Sequence, residues 1–266
     1  TYHVVMNINT SSYSVTTYVA STDPSDTGTA AAADNCDSSV TVTYADTTVA
    51  GTGNNSVITR VWTATDNNSN SATNTQTINI VDTTAPTFTT SPANVTVECS
   101  ASSAPSATGT AAASDNCDNN VTIAYADTTV AGTGNNSVIT RVWTATDDNS
   151  NATTYTQTIT VVDTTAPTVV TQAYTLTLGS NNTATLTTAN VDNGSSDNCD
   201  TSLTLSLSQT AFDCSHLGEN TVTLTATDDN SNSATATAVV TVVDTTAPTA
   251  IAQAYTLTLD SNGAGT

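Results

Sequence analysis

Three acidic stretches recur in this sequence, and their side chains can do one kind of chemistry: binding a hard cation. Asp-Asn-Cys-Asp stands at 34–37, 115–118 and 197–200. Thr-Ala-Thr-Asp, followed by Asn or Asp and then Asn-Ser-Asn, stands at 63–70, 144–151 and 225–232. Val-Asp-Thr-Thr-Ala-Pro-Thr stands at 81–87, 162–168 and 243–249. These stretches supply carboxylate and amide oxygens, no imidazole and little sulfur. That donor set suits Ca²⁺, which takes about 6–8 oxygens at roughly 2.3–2.6 Å. The same residue types also serve as ordinary turn formers, so both readings stand for each loop alone.

Other chemistries fit poorly. The histidines are His3 and His216. Cys214, Ser215 and His216 are adjacent, so their side chains cannot converge as a nucleophile and base must. No phosphate loop and no paired-carboxylate cleft is evident, and the sequence reads as non-enzymatic. The net charge is -21, with no lysine and two arginines, Arg60 and Arg141. Phosphate backbones and anionic membranes need Lys and Arg, so neither is an expected partner. No apolar run reaches the length of a membrane span. The absence of lysine also excludes Lys–Asn isopeptide staples.

The elements that must position these loops follow from self-similarity. Asp82, Asp163 and Asp244 are 81 residues apart, and residues 27–87 differ from 108–168 at 11 of 61 positions. The third copy diverges, and Gln-Ala-Tyr-Thr-Leu-Thr-Leu at 172–178 returns at 253–259. The expected domains are 1–82 (with a divergent start), 83–163, 164–244, and the opening strand of a fourth at 245–266. Alternation in 40–46 and 56–66 and a further run at 75–82 read as strands, Ala-Gly-Thr-Gly-Asn-Asn at 50–55 reads as a turn, and no helical period is present. The expected fold class is all-β: tandem immunoglobulin-like antiparallel β-sandwiches in an extended array. Aligned by 81, Trp62, Trp143 and Leu224 face the core, and Arg60 and Arg141 share that face. Each arginine is expected to stack on the neighbouring Trp and pair with an acid.

Strand parity then says where the acids meet. The Asp-Asn-Cys-Asp loop and the Asp-x-Asn-Ser-Asn loop fall at the same end of a sandwich, and the preceding repeat's last strand ends there. The first junction gathers Asp82, Asp115, Asp118, Asp147, Asp148 and Asn149. The second gathers Asp163, Asp197, Asp200, Asp228, Asp229 and Asn230. Asp34, Asp37, Asp66 and Asp244 are the matching positions at the outer ends. Carboxylates in such number repel unless neutralised. The expectation is one Ca²⁺ centre per junction, with Pro86, Pro167 and Pro248 stiffening the link.

Five cysteines are present: Cys36, Cys99, Cys117, Cys199 and Cys214. Cys99 with Cys117, and Cys199 with Cys214, form pairs within a repeat that can close short disulfide loops. Free buried thiols are the alternative.

The stretches Ser-Asp-Asn-Cys-Asp-Asn-Asn-Val-Thr at 114–122, Thr-Ala-Thr-Asp-Asp-Asn-Ser-Asn and Val-Val-Asp-Thr-Thr-Ala-Pro resemble hyalin-type (HYR) and related immunoglobulin-like repeats. Residues 173–200 and 212–232 resemble the version in giant surface adhesins of Bacteroidetes, of the gliding-motility type exported by type IX secretion. The resemblance covers residues from about 22 onward. It implies an extracellular, cell-surface location, adhesion and tandem arrays. The junction also resembles the cadherin arrangement, in which a linker Asp and two loops of the next domain share calcium. Two departures matter. Ser69, Ser150 and Ser231 stand where that family has Gly, and Tyr18 stands where the second repeat has Cys99.

The functional expectation is a stalk or filament segment of an extracellular adhesin, made rigid by interdomain calcium. Alternatives are an accessory array on a secreted enzyme and a self-assembling fibre subunit. The expected partners are neighbouring repeats of the same chain, then an extracellular surface, a polysaccharide or other copies of itself.

Overall fold

The computed structural model of the chain describes residues 21–259 and 261–265. The expected divergent start, with His3 and Tyr18, lies outside the described residues. Two compact units are present. The first holds the described residues up to Gly132 together with Asn136–Val162; the second holds Thr133–Asn135 and the described residues from Asp163 on.

In the first unit, helix α1 (Pro24–Thr27) precedes β1 (Thr41–Ala50), β2 (Ser56–Thr65) and β3 (Ser71–Ile80), which pair antiparallel in that order. The next copy runs β4 (Thr87–Thr90), β5 (Val95–Glu98), α2 (Pro105–Thr108), β6 (Ala112–Ser114), β7 (Thr122–Ala131), β8 (Ser137–Thr146) and β9 (Ala152–Val162). It forms a four-stranded sheet, β5-β9-β8-β7, and a two-stranded sheet, β4-β6. The second unit carries β10 (Tyr174–Thr177), β11 (Thr183–Thr185), α3 (Thr188–Val191), β12 (Thr204–Leu207), β13 (Ala211–Asp213), a 3₁₀ turn (Cys214–His216), β14 (Gly218–Thr227) and β15 (Ser233–Val243). Its sheets are β10-β15-β14-β12 and β11-β13. Strands β2, β8 and β14 begin 81 residues apart, so the repeat in sequence is a repeat in structure.

The all-β expectation holds, with two refinements. Each four-stranded sheet is mixed, because β5 runs parallel to β9 and β10 runs parallel to β15. Three single-turn helices also occur among the described residues. Each is too short to show a helical period, and two begin with Pro at the first position, where its missing N–H costs nothing.

Burial follows the two-residue period of a strand. On β8, Ile139, Arg141, Trp143 and Ala145 are buried, and on β14 Val222, Leu224 and Ala226 are. Trp62 on β2 is partly buried, while Arg60 is fully so. The copies fill this face in different ways. The third uses apolar packing, with Leu176, Leu186, Val191, Phe212, Val222, Ala238 and Val240 in one cluster. The second uses a polar network centred on Arg141. Its guanidinium makes two hydrogen bonds to Asp127, each 2.8 Å, and donates to Thr108 Oγ1 on α2 at 3.0 Å. It lies 4.6 Å from the Tyr125 ring and 5.8 Å from that of Trp143. Gln157, fully buried, accepts from Trp143 Nε1 and donates to the carbonyls of Ala93 and Thr108. Arg60, Asp46, Thr27, Tyr44 and Gln76 repeat the arrangement. Each arginine is therefore structural, with Tyr as its closer aromatic neighbour.

The cysteine pairing expected within repeats is corrected. Cys117 and Cys214 are free, as is Cys36, whereas Cys99 and Cys199 are disulfide-bonded. Strand direction gives the reason. Cys99 extends the parallel β5–β9 pairing, its N–H bonded to the Val162 carbonyl at the far end of β9. Cys117 precedes β7, whose first residue, Thr122, faces Thr146 at the opposite end of the ladder. A ten-residue strand separates them by about 30 Å, against a disulfide limit near 7 Å. Cys214 and Cys199 flank opposite ends of β14 in the same way.

Candidate metal centre

The Asp-Asn-Cys-Asp loop and the Asp-x-Asn-Ser-Asn loop meet in all three copies, through one contact. The second acid of the former accepts the backbone N–H that follows the acid of the latter. Asp37 Oδ2 accepts from Asn67 N at 2.8 Å, Asp118 Oδ2 from Asp148 N at 2.7 Å, and Asp200 Oδ2 from Asp229 N at 2.8 Å. Within each loop the acids also cap turns. Asp115 Oδ1 accepts from Cys117 N and Asp118 N, and Asp197 Oδ1 accepts from Cys199 N and Asp200 N. Asp147 Oδ1 accepts from Asn149 N and Asn151 N, and its Oδ2 from Asn151 Nδ2. Asp66 and Asp228 do likewise. The serine of this loop takes a left-handed backbone, with φ near 69–71° at Ser69, Ser150 and Ser231. The turn thus keeps the shape that Gly would favour.

Turn capping does not use every oxygen. In the first unit, Asp82 sits just beyond β3, and Asn151 Nδ2 donates to its carbonyl at 3.3 Å. One oxygen of Asp82, one of Asp115 and the Cys117 sulfur lie within 4.8 Å of one another. Oδ2 of both acids is buried without a hydrogen-bond partner. Two carboxylates this close repel by about 3 kcal/mol at an effective dielectric near 20. In the second unit, oxygens of Asp163, Asp200 and Asp228 come within 4.8 Å of one another, and all three residues are buried. Asp197 Oδ2 is buried there without a hydrogen-bond partner. A turn explains the capped oxygens. It leaves the buried, unpaired ones with a desolvation cost that a bound cation would offset. The donor set therefore fits a hard divalent cation.

The fit is not uniform. Asp118 and Asp147 are buried beside the first cluster. Asp148 and Asp229 are exposed and contribute a backbone N–H rather than a carboxylate. Asn149 and Asn230 spend their side-chain N–H groups on the carbonyls of Gly53 and Gly134. Asp34 and Asp244 are exposed and Asp37 and Asp66 half-buried; no metal-ligating group gathers around them among the described residues. Burial, and then the charges of Asp82, Asp115, Asp118 and Asp147, push the Cys117 thiol above its usual range.

One further grouping resembles a catalytic set. Asp213 Oδ1 accepts from Ser215 Oγ at 2.5 Å and faces His216 Nδ1 at 2.9 Å. Ser215 Oγ is 3.3 Å from that same Nδ1, so the imidazole does not bridge serine and carboxylate as a relay requires. The arrangement caps the 3₁₀ turn.

Fold and site together define a tandem β-sandwich chain with buried acids at the loop ends of its repeats. No family model and no curated protein matches it. Among solved structures it is similar to a protocadherin gammaB7 EC3-6 cis-dimer, with 17% identity over 76% of this chain and 66% of that one, at a TM-score of 0.31. Drosophila N-cadherin EC1-4 matches at 16% identity over 70% and 57%, TM-score 0.33. The human Desmocollin-1 ectodomain matches at 13% over 71% and 47%, TM-score 0.28. The chain spans less than two thirds of the length of each of these structures. The junction chemistry is read from its own residues.

Proposed function

We propose that this chain is a structural segment of an extracellular, cell-surface adhesin stalk, with Ca²⁺ bound at the loop ends of its repeats. The observation that carries the reading is the pair of buried, unpartnered oxygens, Asp82 Oδ2 and Asp115 Oδ2, inside one unit. The disulfide-bonded Cys99 and Cys199 fit an oxidising, extracellular compartment. The resemblance of the loop and linker motifs to hyalin-type repeats supports the finer assignment, a gliding-motility-type adhesin of Bacteroidetes. In the first unit the proposed ligands come from Asp82, Asp115, Asp118 and Asp147. In the second they come from Asp163, Asp197, Asp200 and Asp228.

The test is a thermal melt of the full chain with Ca²⁺ and with chelator. Ligand at a hundredfold over Kd stabilises by about 2.7 kcal/mol per site. The expected result is a higher melting temperature in Ca²⁺, with Asp82→Asn and Asp163→Asn each removing part of the gain. An identical melt in both buffers would sink the cation assignment.

A further inference from the structure

The turn between β1 and β2 does more than reverse the chain. Its tip, Gly51–Asn55, makes a set of contacts with the next copy, all inside the first unit. Asn54 Nδ2 donates to the Cys117 carbonyl of the Asp-Asn-Cys-Asp loop. Asn55 Nδ2 donates to Asn149 Oδ1 at 2.7 Å, and Asn149 Nδ2 returns a bond to the Gly53 carbonyl at 2.7 Å. Asn55 Oδ1 accepts the backbone N–H of Asp82 at 2.7 Å, which ties the linker to the same tip. The approach is close: a Cβ on Gly53, whose φ is 55°, would stand 2.6 Å from Asn149 Nδ2, so the Asn149 amide would have to move aside.

The pattern occurs twice. Thr133–Asn135, the tip of the β7–β8 turn, belongs to the second unit, apart from the strands that carry it. There Asn135 Nδ2 donates to the Cys199 carbonyl and to Asp200 Oδ1, the latter at 2.9 Å. Asn230 Nδ2 donates to the Gly134 carbonyl at 2.6 Å, and a Cβ on Gly134 would stand 2.5 Å from Asn230 Oδ1. In the third copy the corresponding stretch is Asp-Cys-Ser-His-Leu, folded as a 3₁₀ turn instead.

We infer that the Gly-Thr-Gly-Asn-Asn turn is a recognition latch. Its partner surface is the loop pair Asp-Asn-Cys-Asp and Asp-x-Asn-Ser-Asn of the following repeat, read through Asn149 or Asn230. At the first tip the bonds are neutral donor–acceptor pairs among side-chain amides and backbone, so the latch holds there without a cation; at the second, Asn135 and Asn230 also donate to the carboxylates of Asp200 and Asp163. This does not rest on the calcium reading. The turn residues, rather than the acids, then specify which repeat can seat behind which.

The test uses the full chain and hydrogen exchange in chelator and again in Ca²⁺. The reporter is the Asp82 amide, held by Asn55. Asn149→Ala removes the acceptor that orients Asn55 and should speed Asp82 exchange about tenfold, the effect of losing one to two neutral hydrogen bonds. The Asp147 amide, bonded to the Asn151 carbonyl within its own loop, should stay protected, which separates unlatching from unfolding. Gly53→Ala should also unlatch, and adding Asn149→Ala to it should cost less than the two changes summed, because the clash is gone. Unchanged Asp82 exchange in Asn149→Ala, or wild-type protection only when Ca²⁺ is present, would overturn the latch. A latch that passes this test while Ca²⁺ fails to move the melt would leave the latch standing and remove the cation.

Discussion

Arg141 shows how one side chain organises a core. It is 1% exposed and tied to Asp127, which remains about a third exposed, to a threonine on α2 and to two aromatic rings. Breaking a buried ion pair by removing one partner costs roughly 3–5 kcal/mol, and solvent screening at Asp127 brings this one just below that range. Asp127→Ala should therefore lower stability by about 2–3 kcal/mol in calorimetry of the full chain, by leaving Arg141 buried without its carboxylate. The double variant Arg141→Met, Asp127→Ala should cost less than Asp127→Ala alone. The hydrogen bond from Arg141 holds the Asp127 carboxyl below the usual range; burial opposes this and Coulomb attraction adds to it. A carboxyl lowered on folding contributes stability that is complete above its unfolded value, near pH 3.9. That stability is lost as pH falls through the folded value. Melts taken downward from pH 5 should therefore fall more steeply in wild type than in the double variant.

Among the elements, the Asp-x-Asn-Ser-Asn loop holds a serine in a left-handed backbone. Ser150 has φ of 69°, a region that costs a side-chain-bearing residue about 1–2 kcal/mol relative to glycine. Part of that is returned as unfolded-chain entropy when glycine is introduced. Ser150→Gly should raise stability by about 0.5–1 kcal/mol, read from the same calorimetric transition, with the Asp147 capping bonds intact. A lower transition would mean that the serine hydroxyl contributes more than its backbone strain removes. The strands beside this loop are rich in threonine, valine and isoleucine, β-branched residues that suit a pleated surface. Their parallel additions, β5 and β10, carry the cysteine and apolar positions to the opposite end.

At the scale of the molecule, two sheet edges stand without the usual protection among the described residues. Strands β1 and β7 are edges of their sheets, ten residues long, with Val49 64% and Val130 66% exposed. Natural edges are often guarded by lysine, and this chain has none. Its net charge of -21 supplies the repulsion instead. Salt near 1 M shortens the screening length to about 3 Å and should therefore promote association in sedimentation experiments. Val49→Lys with Val130→Lys should suppress that association and leave the melting temperature unchanged. Salt-independent monomers would show that the edges are silent.

The strand class, the repeat and the meeting of the acidic loops were all legible in the sequence. They follow from local alternation, spacing and strand parity, which need no knowledge of the other layer. Arg141 facing inward was legible for the same reason, since side-chain direction on a strand is set by parity. Asp127 as its partner was not, because the β7–β8 register brings it there from fourteen residues away. The cysteine pairing and the role of Asn54, Asn55 and Asn149 were decided only by the tertiary structure. Cysteines close in sequence can lie at opposite ends of a ladder once strand direction is set. An asparagine in a turn carries no mark of what its amide will meet. Which carboxylate oxygens stay unpaired was decided there too, since that depends on which backbone N–H groups the folded loops bring within reach.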